Sequence, residues 1–247
     1  MASLAALPLA VVGQVEKGFI QKRTGSACQG KPSHLFCFDW ARENIDRYGT
    51  PTLQQLELVA ISIVIGFVVA FALALLAHRR RWLRPPLLAG TGILYAIPSI
   101  SFFLLLLPIT GRSRETAIIA LSAYTLQIIF RNVTVGLDNV PASATDSARG
   151  MGMTERQVLW RVEIPLATPE IIGGLRIATV STIAIATLAV FAGAGGLGTQ
   201  ILGEANLTFP TTILIVIGIV MAMAFFFDAI LLTIQYYATP WRRARAS

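Results

Sequence analysis

Residue types that do chemistry are scarce in this chain of 247 residues, which holds two Cys (Cys28, Cys37), two His (His34, His78) and 13 Asp and Glu. Neither the Cys nor the His pair has a zinc-ligand spacing, so no metal or haem ligand set is expected. Neither His has a nucleophile and an acid placed to complete a triad, and no catalytic residue is expected. Gly193, Gly195 and Gly198 fit G-x-G-x-x-G, yet they follow an apolar helical stretch rather than a strand, and no βαβ unit is available to hold a dinucleotide. They read instead as a tight turn where small residues permit close approach, or as simple loop punctuation. The chain contains no Walker A sequence.

The remaining candidates lie inside apolar runs. Asp228 is the clearest of these; ionisable residues in such runs face a protein interior or a pathway, and pairing with a basic residue is the more ordinary outcome. Arg131 and Arg176 read as snorkelling anchors near one interface, and Glu57 as an interface residue at the other. Tyr95, Phe102, Phe103 and Tyr124 have the chemistry of a cation-binding aromatic cage, although aromatics in such runs more often pack. Pro98 interrupts its run and marks a kink.

The elements that position these residues are membrane-spanning. The chain is 55% hydrophobic and 13% charged, about half the usual charge of a soluble domain. A spanning helix needs roughly 20 mostly apolar residues, because backbone polar groups cannot stay unpaired in hydrocarbon. Five segments qualify, 58–77, 86–108, 116–136, 171–192 and 209–234, so the expected fold is an all-α membrane protein. Ser3 to Gly13 are apolar but too short to span, and without a basic flank they make a poor secretory signal.

The net charge of +7 belongs to topology rather than to nucleic-acid binding, because the basic residues cluster between apolar runs. Twelve Arg lie on the side that carries the 78–85 loop, the central loop and the 239–247 tail, against four basic residues close to a span on the other side. The positive-inside rule then puts the N-terminus outside and the C-terminus in the cytoplasm. Residues 1–53 form an external region before a transmembrane domain at 54–238. Cys28 and Cys37 would sit in an oxidising compartment, where a small disulfide loop and two free thiols are equally ordinary. Trp40 to Tyr48 mixes aromatic and charged residues and fits an interfacial helix or a solvated lead-in.

Between the third and fourth spans lie about 35 residues, more than a hairpin of helices needs. Pro141 and Ser143 open a helical stretch, Gly150 and Gly152 punctuate it, and Thr154 to Gln157 reads as a capping box. Two short helices joined by a glycine bend are expected over 139–165. Pro165 and Pro169 are expected to end the second before the membrane is re-entered.

Asp146-Ser147-Ala148, then Gly152, then Val162, Ile164 and Pro165 resemble the EAA-x3-G-x9-I-x-L-P loop of binding-protein-dependent ABC importer permeases. The spacing matches throughout, with Asp for Glu, Ser for the first Ala, and Val and Ile for the later Ile and Leu. The segments 149–154, 159–166, 186–189 and 193–198, with Ile97-Pro98-Ser99, are similar to the osmoprotectant branch of that family. The resemblance covers most of residues 50–240 and leaves the first 45 or so uncovered.

It implies a permease subunit of the bacterial inner membrane, with Asp146, Ser147, Ala148, Gly150, Gly152, Val162, Ile164 and Pro165 forming a coupling helix that docks on a cytoplasmic ATPase. ATP and Mg would be bound by that partner, an external binding protein would deliver glycine betaine, choline, carnitine or a proline-type solute, and a second permease, identical or paralogous, would face this one. Tyr95, Pro98, Phe102, Tyr124, Gly193, Gly195, Gly198 and Asp228 are then the pathway candidates by location. The competing classes are a stand-alone secondary transporter or channel, which would carry inverted repeats that this sequence lacks, and an intramembrane enzyme, which would need paired His, Cys or carboxylates within spans.

Overall fold

A computed structural model describes residues 36–204 and 210–241 of the chain; Cys28, His34 and the basic residues of the tail lie outside them. Among the described residues every regular element is helical. Helix α1 (Phe38–Asn44) passes through a 3-10 turn (Ile45–Tyr48) into α2 (Gly49–Arg79). A second 3-10 turn (Arg81–Leu83) leads to α3 (Arg84–Ala96), then α4 (Ser99–Thr110) and α5 (Arg114–Asp138). The connecting loop carries α6 (Ala142–Gly150) and α7 (Glu155–Val158). A π-helical turn (Leu159–Glu163) joins α7 to α8 (Ile164–Ile185), which tightens into a 3-10 turn (Ala186–Ala192). Helices α9 (Gly198–Glu204) and α10 (Pro210–Ala238) complete the described fold.

Among the described residues, four helical stretches are long and apolar enough to cross a membrane: Phe38–Arg79, Arg114–Asp138, Glu155–Ala192 and Pro210–Ala238. The expected second span, 86–108, is instead a pair of helices bent by 97°. The bend sits at Ile97 and Pro98, both in extended conformation, because the proline ring disfavours a helical residue before it. Tyr124 Oη donates to the Ile97 carbonyl at 2.5 Å, which satisfies an acceptor left free by the break.

The fourth span also differs from expectation. Pro165 and Pro169 do not end the helix; it runs unbroken from Glu155 to Ala192. The π turn explains this, since the Ile164 N–H reaches back five residues to the Leu159 carbonyl and shifts the ladder just before Pro165. Pro165 follows that turn directly, so its missing N–H falls where the ladder has already shifted.

Helix α5 is the centre of the fold and packs against α2, α3 and α8, while α10 covers α8 from outside. Its apolar window is 44% buried against 11% for α10, so α10 keeps most of its surface for lipid or for another chain. Small residues let backbones approach, as in membrane helix packing generally. A Cβ on Gly66 would lie 1.8 Å from Thr125 Oγ1, and one on Gly174 would lie 2.4 Å from Asn132 Cβ. Two apolar clusters result. Leu58, Phe103, Leu121, Ile183 and Leu197 fill the end near the glycine turn, and Ala74, Phe130, Val133, Leu159 and Ala178 fill the end near the connecting loop.

The Trp40 to Tyr48 segment is helical, but it is packed on protein rather than laid out alone. Trp40 and Tyr48 are buried, and the Cys37 N–H donates to Thr211 Oγ1 at 3.1 Å, at the start of α10. Cys37 is disulfide-bonded.

Candidate functional site

The connecting loop is built as a braced corner. In α6, Thr145 and Ala148 are buried, whereas Asp146, Ser147, Arg149 and Gly150 face outward. Helix α6 is closed off at Gly152, whose φ of +83° lets the following Met153 N–H return to the Ala148 carbonyl at 3.2 Å. Thr154 then caps α7 reciprocally: its N–H donates to Gln157 Oε1 at 2.8 Å, and the Gln157 N–H donates to Thr154 Oγ1 at 3.4 Å.

Arg149 ties the two helices together. It donates to both carboxylate oxygens of Glu155, at 2.8 and 3.2 Å, and to Asp146 Oδ1 at 3.1 Å. The bond to Arg149 holds the Glu155 carboxyl below its ordinary range, and the same bond raises the Arg149 guanidinium. Asp146, the acidic residue of the sequence motif, thus orients a neighbouring Arg rather than standing alone. Met151 and Trp160 are exposed large apolar residues on either side of the corner, at 72% and 50%. Val162 and Ile164 are half-buried and Pro165 lies beside them at the start of α8.

The corner is anchored to the bundle by residues that motif spacing did not single out. Glu163 of the π turn meets His78 Nε2 at 2.9 Å, joining the loop to the last turn of α2. Arg84 pairs with Asp138, joining the start of α3 to the end of α5. Both pairs link segments far apart in sequence, and the only hint of them is the position of each charge at a helix end.

At the opposite end, Gly193, Gly195 and Gly196 all have positive φ, so the segment after α8 is a true left-handed turn. Gly198 begins α9, where a Cβ would lie 1.8 Å from the Thr187 carbonyl oxygen. Two glutamines of α2 hold this turn. Gln54 Oε1 accepts the Gly196 N–H at 3.1 Å, and the fully buried Gln55 accepts the Leu197 N–H at 3.0 Å while donating to the Ile183 carbonyl at 3.0 Å. Gln54 and Gln55 read in the sequence as ordinary helix formers, and nothing local sets them apart.

The remaining candidates separate into two groups. Tyr95, Phe102 and Tyr124 come together beside the Pro98 break, with ring centroids 5.8 Å apart for Tyr95 and Tyr124 and 5.7 Å apart for Phe102 and Tyr124, both edge to face. Phe102, Phe103 and Tyr124 are buried, so within this chain they pack, and Tyr95 alone of the four is exposed, at 45%. Asp228 lies apart from them, paired with Arg176, which corrects the reading of Arg176 as a snorkelling anchor. Glu57 pairs with Arg114. Among the described residues no group of three or more His, Cys, Asp or Glu is placed to hold a metal ion.

Residues 62–240 match the family described as the inner membrane component of binding-protein-dependent transport systems. The chain belongs to this family. It is a multi-pass membrane permease subunit of an ABC importer. It is 37% identical to the osmoprotectant import permease protein OsmW of Salmonella typhimurium, over 65% of this chain and 77% of that one. The carnitine transport permease protein OpuCB of Listeria monocytogenes is 35% identical over 70% and 79%. The choline transport system permease protein OpuBD of Bacillus subtilis is 33% identical over 81% and 88%. Among solved structures, an inward-facing MetNI methionine ABC transporter superposes with a TM-score of 0.64 at 21% identity, covering 80% of this permease and 99% of that chain. An amino acid ABC transporter superposes with a TM-score of 0.65 at 18% identity, over 81% and 98%. At these identities the structural likeness carries the fold alone.

Proposed function

We propose that this permease imports a quaternary ammonium compatible solute, of the glycine betaine, carnitine or choline type, across the bacterial inner membrane. Support for the solute class comes from relatives named for osmoprotectants, carnitine and choline. An external binding protein delivers the solute, and a cytoplasmic ABC ATPase drives its passage. The N-terminus faces outward and the C-terminus the cytoplasm, the orientation favoured by the distribution of Arg. A second permease, identical or paralogous, completes the pathway, since five spans are few to enclose one.

The observation that carries the coupling role is the braced corner. A helix fixed at both ends transmits the closure of a partner, whereas a loose loop would absorb it. Asp146, Ser147, Gly150 and Gly152 present the docking face, Ala148 packs inward behind it, and Val162, Ile164 and Pro165 join it to α8. His78 and Glu163 pass the movement to α2.

Purification of the tagged chain from its native membrane, followed by mass spectrometry of co-eluting proteins, tests this reading. An ABC ATPase is expected, and any second permease decides between homomer and heteromer. Gly152→Pro and Asp146→Lys are expected to insert normally but to separate ATP hydrolysis from uptake. A chain that elutes alone and takes up solute without ATP overturns the importer reading.

A further inference from the structure

One feature of the bundle is used neither by the connecting loop nor by the glycine turn. Between α3 and α5 lies a cavity of about 310 Å³ lined by Tyr95, Gln127, Ile128, Arg131 and Asn132. That size is at the small end for ligand pockets, about 300 Å³. Its polar groups are unbalanced. Arg176 is neutralised by Asp228, but Arg131, the other arginine within an apolar run, has no ion-pair partner among the described residues. Gln127 Oε1 is buried and without a hydrogen-bond partner, although a buried acceptor ordinarily has one. The Asn132 amide, by contrast, is engaged in its own helix, donating to the Ile128 carbonyl at 2.8 Å.

These groups are ordered by sign. Gln127 and Arg131 are four residues apart on α5, so their side chains share one face about 6 Å apart. Arg131 offers only donors and a positive charge, which suits a carboxylate held through two parallel hydrogen bonds. One turn away, the Gln127 oxygen and the exposed Tyr95 ring offer a partial negative charge and a π face. That combination suits a cation, and a quaternary ammonium group meets both through its polarised methyl groups.

We infer that this cavity, open on the side of the exposed Tyr95 and Arg131, is a binding site for a zwitterion, a quaternary ammonium carboxylate, with Arg131 on the carboxylate and Tyr95 and Gln127 on the ammonium group. A quaternary ammonium alcohol would leave Arg131 unpaired and be repelled by it, so the cavity discriminates between two solutes with the same headgroup. The inference rests on the proposed solute class and adds a selectivity to it.

Glycine betaine and choline are the two probes, because they share the trimethylammonium group and differ in the carboxylate. In proteoliposomes of the purified importer, Arg131→Gln is expected to lower the ratio of betaine to choline uptake at least about tenfold, the size of one charge-assisted hydrogen bond. Arg131→Lys is expected to keep the ratio within about threefold of the native value, because it keeps the charge. A ratio unchanged by Arg131→Gln overturns the site. A second measurement leaves Arg131 in place: the thiol of Asn132→Cys is labelled with a maleimide in the assembled importer, with either solute present. Betaine is expected to slow labelling several-fold more than choline, and equal protection, or none, overturns the site. Native importer that moves neither probe overturns the solute class instead, and the labelling result still decides whether the cavity holds a zwitterion.

Discussion

Arg176 and Asp228, 52 residues apart in the chain, meet through two hydrogen bonds of 2.8 Å, Nε to Oδ1 and Nη2 to Oδ2. Gln235 completes the arrangement, accepting from Arg176 Nη1 at 3.2 Å and donating to the Pro169 carbonyl at 2.9 Å. Helix α10, largely exposed along its length, is thereby pinned to α8 by polar contacts where apolar burial is thin. The proline that fails to end α8 is part of the same network.

Removal of one partner leaves the other charge without its hydrogen bonds, a loss of about 1–3 kcal/mol. Asp228→Leu and Arg176→Leu are each expected to lower the melting temperature in detergent and to raise hydrogen exchange in α10. The double variant Arg176→Leu/Asp228→Leu is expected to recover part of the loss, since no charge is left unpaired. Additive losses in the double variant would refute a direct pairing.

Gln55 serves two buried backbone groups at once, the Leu197 N–H and the Ile183 carbonyl. Gln55→Leu orphans both and is expected to cost on the order of 1–3 kcal/mol per group. The loss should be local. Exchange is expected to rise across 193–198 and stay unchanged in α6, which hydrogen-exchange mass spectrometry reads directly.

The bond between Arg149 and Glu155 gives the corner a defined pH response. The folded Glu155 carboxyl titrates below its ordinary value of 4.5, so its stabilisation is complete above that value and lost as pH falls through the lower, folded one. Exchange protection of α6 and α7 is therefore expected to be flat through neutral pH and to fall only in acid. Glu155→Gln should remove that acid limb while leaving α10 unaffected.

Glu163→Ala and His78→Ala are expected to leave the permease folded but to weaken the link between the corner and α2. ATP hydrolysis by the purified importer should persist while uptake per ATP falls several-fold. Equal falls in both rates would place the pair in stability rather than in transmission.

Much of this architecture is written locally. Runs of about 20 apolar residues must become helices in hydrocarbon, so the long helices and the Arg-rich turns between them follow from composition alone. The Thr154–Gln157 box and the bend at Gly152 are equally local, since each depends on residues within one turn. What tertiary structure decided were events between distant segments. The 97° break at Pro98 could be located from sequence but not measured, because the carbonyl it frees is met by a hydrogen bond donated from Tyr124 of another helix. Gln55 could not be distinguished from any other helical Gln, as its partner lies 142 residues away. Pro165 misled because a proline ends a regular helix, and only the π turn before it, seated beside His78 of α2, lets the chain continue. Spacing along one helix is fixed by covalent geometry; pairing between helices is fixed by which buried polar groups find each other once water is gone.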